Sequence, residues 1–368
     1  MILSFFILGG FQETIKKKIY DFKGHLEVTK YSFGNTFEDQ PINKNGDFYQ
    51  NKDSFDFISH VQEFAHKAAL LKTKEEVQGV LLKGVGKSFD LDRFNSNIVE
   101  GRFIQIQDSG YSKEIVISKK IATSLRLKVD DDVLIYFVQN PPRFRKLHIT
   151  GIYETGLEEI DQRIIIGDIG LVQRINNWGD SLVSGFEVFI KNPADIDAVE
   201  EELFRKVDVE LFVDKVNDKY LQLFDWLGLL NQNVMMLLTI IQVIAVFNMV
   251  SILLILIMER TNMIGILQAL GASRRMIKRI FIYNGMLLIA KGLFWGNIIA
   301  LSLAFIQDKF KIIPLDAENY YMHYVPIHWD YTALIGLNLL TFIIVSLALG
   351  IPTLVISRIK PIAAMRFD

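Results

Sequence analysis

Hydrophobic residues are arranged along this chain in two regimes. Up to about residue 225 they alternate with polar ones in short stretches; beyond it they gather into three runs long enough to cross a bilayer. The first run, Trp226–Met258, contains no charged residue, and its core Leu237–Met258 spans a hydrocarbon layer at about 1.5 Å per residue. The second, Ile280–Ile306, carries a single charge, Lys291, and the third, Tyr331–Ile356, carries none. Three membrane helices are therefore expected at 226–258, 280–306 and 331–356.

The earlier regime reads as mixed α and β. Alternation and β-branched content predict strands at His25–Tyr31, Glu75–Lys83, Glu114–Ser118, Val133–Val138, Leu147–Tyr153, Arg163–Ile166 and Phe186–Ile190. Ser118 is placed to cap a helix over Lys119–Leu127, and Pro193 to open one over Ala194–Lys206. The expectation is an α-helical membrane protein with an α+β extracytoplasmic domain at 12–225, within which the strand-rich stretch near 100–175 is an insertion. From Val216 a helical stripe runs through Tyr220, Leu223, Leu227, Leu230 and Val234, then through Leu237 and Ile241 into the first span. Two readings of it stay open: a helix packed on its own domain, or a stalk that carries motion outward.

Charge in the breaks sets the topology. The segment Glu259–Arg279 holds Arg260, Arg274, Arg275, Lys278 and Arg279 against one acid, Glu259. The loop Gln307–Asp330 holds two lysines and four acids, and the tail 357–368 holds Arg358, Lys360 and Arg366. The positive-inside rule puts the basic loop and tail in the cytoplasm and the acidic loop outside. The domain before Trp226 is then outside as well, and Met1–Phe11, about half a span, is read as the remnant of a first membrane helix truncated upstream.

The basic loop has structure of its own. Ile264, Leu267 and Leu270 fall at helical spacing with Met263 and Ile266 beside them, Gly271 can adopt the left-handed conformation that ends a helix, and Ser273 can cap the next. A short amphipathic helix at the cytoplasmic mouth offers a soluble partner a surface to push on.

Composition supports this mixture. Of 368 residues 50% are apolar and 22% charged, and mean hydropathy is +0.25. The net charge of −2 gives no argument for nucleic acid, and the absence of cysteine excludes disulfides and thiolate metal sites. Leu81–Ser88 (LLKGVGKS) approaches a phosphate-binding loop, but Leu81 stands where its first glycine belongs, so it is read as a turn after a strand. The six histidines show no metal-ligand spacing; His60 and His66 do not share a helix face. No catalytic constellation is legible. Within the second span, Gly292, Gly296 and Ala300 form a small-residue ladder suited to close helix packing. Lys291 lies deep in that span, facing a polar cavity or the head-groups, with the cavity favoured.

The loop ERTNMIGILQALGAS (Glu259–Ser273), the stretch YNGMLLIAKG (Tyr283–Gly292) and the end IPTLVISRIKPIAAMRF (Ile351–Phe367) resemble the permease subunits of MacB/FtsX-type ABC transporters. IPLDAENYYMHYVPIHWD (Ile313–Asp330) is most similar to the LolC/LolE branch, the lipoprotein-releasing permeases. The resemblance implies a type VII (MacB-like) permease of the bacterial inner membrane, with porter and inserted sabre subdomains in the periplasm. It implies no enzymatic activity and no cofactor on this chain, ATP and Mg being bound by a separate LolD-like ATPase. That ATPase would dock on Thr261, Met263, Ile264, Leu267, Leu270 and Gly271, with Ile264 and Leu267 on the face buried against it. The other implied partners are a second permease subunit, a lipoprotein substrate and a LolA-like periplasmic carrier. The turn Gln139–Arg145, with Pro141, Pro142 and Arg143, corresponds to the carrier-recruiting hairpin of LolC but is short, which makes the chain more LolE-like there. The rival expectations are a MacB-like export pump and an FtsX-like signalling subunit that activates cell-wall hydrolases.

Overall fold

A computed structural model describes residues 1–31, 39–73, 76–107, 110–316 and 320–356. The basic tail residues Arg358, Lys360 and Arg366 lie outside the described residues. The chain divides into a sheet unit, Ile15–Phe224 with Asp316–His323, and a helical unit comprising Met1–Thr14, Asp225–Leu315 and the chain from Tyr324 onward.

The strands are β1 (Leu26–Lys30), β2 (Ile42–Asn43), β3 (Ile58–Lys72), β4 (Val77–Val85), β5 (Ile98–Gly101), β6 (Glu114–Ser118), β7 (Asp132–Phe137), β8 (Arg143–Tyr153), β9 (Ile164–Asp168), β10 (Leu182–Val183), β11 (Gly185–Ile190) and β12 (Leu211–Lys215). Ten of them form one sheet in the order β12-β1-β11-β3-β4-β9-β6-β8-β5, with β7 bridging β3 and β8. The pairings β3·β4, β4·β9, β9·β6, β6·β8, β8·β7 and β7·β3 therefore close on themselves as a six-strand ring.

Two apolar cores share β3. One, around Leu71, Leu82, Ile117, Ile135, Ile149 and Leu171, fills the ring and the helices packed on it. The other, around Leu26, Val61, Phe186, Val188, Leu203 and Val213, lies under the helix Ile196–Lys206. The strands expected in a separate insertion near 100–175 thus share their core with β3 and β4 and join the same sheet through them. The Ser118 cap forms as the sequence predicts: its Oγ accepts the Ile121 N–H and opens the helix Lys119–Leu125.

The 15-residue strand β3 has no counterpart among the predicted strands. Its sequence ISHVQEFAHKAALLK is rich in Ala, Lys, Glu and Gln, helix formers that hide the alternation. Because it is a strand, His60 and His66, six residues apart, project from one side of it, and helix-face spacing does not apply.

In the helical unit three helices are long and apolar enough to cross a membrane among the described residues: Leu221–Glu259, Arg274–Phe310 and Tyr331–Leu354. The stripe predicted to run on from Val216 is interrupted. The helix Val216–Lys219 ends at Tyr220, whose backbone (φ −112°, ψ 36°) leaves the helical region, and the long helix starts anew at Leu221.

The N-terminal helix is Ile2–Lys23, extending well beyond Phe11. Its later turns belong to the sheet unit, where Ile15, Ile19 and Phe22 are buried at helical spacing. Its earlier turns contact the segment before the last span. A side chain at Gly10 would come within 2.8 Å of the Pro326 backbone, so only glycine permits that approach, and the Phe6 carbonyl accepts the His328 N–H at 3.0 Å.

Candidate coupling loop and its helical scaffold

Between the first and second spans the chain folds into a self-contained helix, Thr261–Ala269. It begins where Thr261 Oγ1 turns back on the Met258 carbonyl at 2.7 Å, a side-chain bond that competes with helix continuation. It ends in a Schellman motif. Gly271 takes φ +92°, its N–H reaches the Gln268 carbonyl at 3.0 Å, and the Ala272 N–H reaches the Leu267 carbonyl at 2.9 Å. Ser273 then caps the second span, its Oγ accepting the Met276 N–H at 3.3 Å. The Gly271 stop and the Ser273 cap match the sequence expectation.

The faces do not. Ile264 is fully buried within this chain, packed in a cluster with Leu253, Ile257, Ile277, Phe281, Val345 and Leu349, and Leu267 is half-buried against the same cluster. These two anchor the helix to its own bundle. Burial of Ile264 is worth about 2 kcal/mol by its apolar area. The exposed apolar residues are Met263 (40%), Ile266 (48%) and Leu270 (80%), at positions i, i+3 and i+7, one stripe along the outer face. Arg260, Arg274 and Arg275 are exposed around it.

The scaffold behind the loop is tightened at a place the sequence did not indicate. At Gly285 a side chain would come within 2.7 Å of Leu349 and 3.4 Å of Met249, so this glycine lets the second span approach the last helices. Gly292 and Gly296, by contrast, have nothing within 4 Å of where a side chain would start. With Ala300 they line a cavity of about 220 Å³ together with Met1, Asn297, Asn338 and Thr341, so the ladder makes no close helix contact inside this chain. Lys291 is exposed and does not line that cavity.

Polar side chains cross-link the spans. Asn297 and Asn338 exchange two amide bonds, at 2.9 and 3.1 Å, and Thr341 donates to Gln242 at 3.1 Å, tying all three long helices together. Sequence reasoning missed these residues. The available signal was an asparagine in each of two largely apolar runs, Asn297 in the second and Asn338 in the third.

In the sheet unit, Pro141 and Pro142 sit exposed at the tip of the β7–β8 hairpin. Arg143 is engaged elsewhere: its guanidinium donates to the Arg174 and Ile175 carbonyls at 3.0 and 2.7 Å and to Asn177 Oδ1 at 2.8 Å, capping the C-terminus of the helix Ile169–Asn176. LLKGVGKS is the end of β4 and the turn after it: Lys83 is buried against Glu187 and Ser88 bonds Glu63.

The family model described as FtsX-like permease C-terminal matches residues 235–361, which takes in the coupling loop. The lipoprotein-releasing system transmembrane protein LolC of Buchnera aphidicola subsp. Schizaphis graminum is 23% identical, covering 94% of this chain and 84% of the relative. LolE of Haemophilus influenzae is 24% identical over 95% of this chain and 86% of the relative. Among solved structures, the periplasmic region of MacB from Actinobacillus actinomycetemcomitans aligns at 12% identity over 54% of this chain and 92% of that one, with a TM-score of 0.37, too low to bear on the fold. The family match on residues 235–361, joined to relatives aligned along nearly the whole chain, makes this chain similar to the LolC/LolE-type permeases of the MacB/FtsX superfamily.

Proposed function

We propose that this chain is the membrane subunit through which a separate ATPase drives the extraction of lipoproteins from the bacterial inner membrane and their transfer to a periplasmic carrier. The observation that carries the reading is the coupling helix: a rigidly capped element, anchored inward by Ile264 and presenting Met263, Ile266 and Leu270 outward within a rim of arginines. A partner groove that accepts the stripe can push the helix, and the Ile264 cluster passes the displacement to both flanking spans. The ATPase supplies ATP and Mg, a second permease subunit completes the complex, and the sheet unit stands on the periplasmic side. LolC and LolE are the names of the relatives aligned along most of the chain, which supports lipoprotein as the cargo. Reconstitution of this chain with its ATPase and a second permease in liposomes tests the assignment. ATP-dependent appearance of acylated lipoprotein on a soluble carrier is expected; ATP turnover without release would refute the cargo.

A further inference from the structure

Four neighbouring strands carry polar side chains in register across one face of the sheet. Asp214 on β12 lies opposite Glu27 on β1, Glu27 opposite Glu187 on β11, and Glu187 opposite Gln62 on β3. Like charges directly opposite one another destabilise a sheet, and Glu27 and Glu187 are both buried. The row therefore requires counter-charges, and three lysines supply them.

Lys83, on β4, sets Nζ 2.7 and 2.9 Å from the Glu187 carboxylate oxygens, and Gln62 donates to the same carboxylate at 2.7 Å. The other two lysines come from outside the sheet. Lys23, the last residue of the N-terminal helix, stands 3.8 Å from Glu27. Lys219, the last residue of the helix before the Tyr220 break, bonds Glu27 and lies 3.6 Å from Asp214. The N-terminal helix is gripped a second time, because Lys83 donates to the Phe22 carbonyl at 2.8 Å, one of those left open at a helix C-terminus. Burial alone would raise the Glu27 carboxyl, but Lys23 and Lys219 overcome it and hold it at about 2, so Glu27 is ionised at neutral pH.

We propose that this acid row is the seat on which the two segments leading to the spans, the N-terminal helix and Val216–Lys219, are fixed so that their movement is handed to the sheet, with Lys23 and Lys219 as positioning residues. An apolar contact slides at little cost. A lysine drawn away from a buried carboxylate leaves an unpaired charge, so this joint resists sliding. The inference rests on the transport reading, since the movement it transmits is the ATP-driven one.

The chain has no cysteine, so spin labels can be placed through Lys128→Cys in the sheet unit and Ile312→Cys in the helical unit of the full reconstituted complex. ATP is expected to shift the label distance in the otherwise unaltered chain. Lys219→Met and Lys23→Met should abolish the shift and lower lipoprotein release by about tenfold, the scale of ordinary coupling energies, while ATP hydrolysis continues. Lys219→Arg should preserve shift and release. Shifts unchanged in both methionine variants, or no shift in the unaltered complex as it hydrolyses ATP, would overturn the joint. A normal shift without lipoprotein release would instead count against the cargo and leave the joint standing.

Discussion

At the Glu259–Arg279 turn the anchoring contacts are apolar: Ile264 sits among Ile257, Ile277 and Phe281, and the outer face carries a hydrophobic stripe flanked by arginines. In the sheet unit the N-terminal helix and Val216–Lys219, besides burying Ile15, Ile19, Phe22 and Val216, are held by buried charges on Glu27 and Glu187. The two regions answer different demands. A surface that must accept and release a partner works best with non-directional burial, whereas a junction that must keep its register works best with charges that are costly to separate.

The largest expected effect breaks the apolar side of this comparison. Ile264→Asp puts a charge into a dry cluster and should cost several kcal/mol, enough to remove the folded chain from membranes. Leu270→Asp, on the exposed stripe, should leave yield and monodispersity unchanged while the ATPase no longer co-purifies. If the two variants behaved alike, the assignment of inner and outer faces would be wrong.

A smaller effect sharpens the charged side. Burial, aided by Arg93, lowers His25 from 6.5 to about 4; its Nδ1 accepts the Ile190 N–H. His25 is thus neutral in the folded state, while the unfolded chain takes up a proton below about 6.5. Its contribution is complete above that pH and is lost as pH falls toward 4, about 3 kcal/mol in all. Glu27, held at about 2 against an ordinary 4.5, adds a further loss as pH falls from about 4.5 toward 2. Melting of the sheet unit, followed by hydrogen exchange on β1 and β11, should weaken from pH 6.5 downward while the apolar coupling loop keeps its protection. A loop that lost protection in parallel would erase the distinction.

The smallest effect separates two glycines of one span. Gly285→Ala must displace the buried Leu349 and should cost about 1 kcal/mol, the lower end of overpacking. Gly296→Ala meets nothing within 4 Å and should be neutral or slightly stabilising in thermal melts in detergent.

Legibility in the sequence followed the range of the interactions. The end of the coupling helix and the start of the next were readable because Gly271 and Ser273 act on backbone groups within a few residues. Its faces were misread because Ile264 and Met263 are equally hydrophobic, and only the position of Phe281 and Leu349 decides which turns inward. The acid row was invisible for the same reason at longer range: Glu27, Glu187 and Asp214 meet only once three distant strands are in register. Strand β3 was missed because its buried polar residues, such as Gln62, are satisfied by partners far away in the chain.

Closure of the ring limits how this domain can vary. Each of β3, β4 and β6 to β9 pairs with two others of the ring, which leaves little bare edge for a neighbouring molecule. Excising residues 114–168 would not return a smaller domain; it would strip one flank of β4 and the end of β3, producing a sticky, self-templating chain. Variation in length is therefore expected to collect at the β7–β8 hairpin tip, where Pro141 and Pro142 protrude without disturbing the circuit.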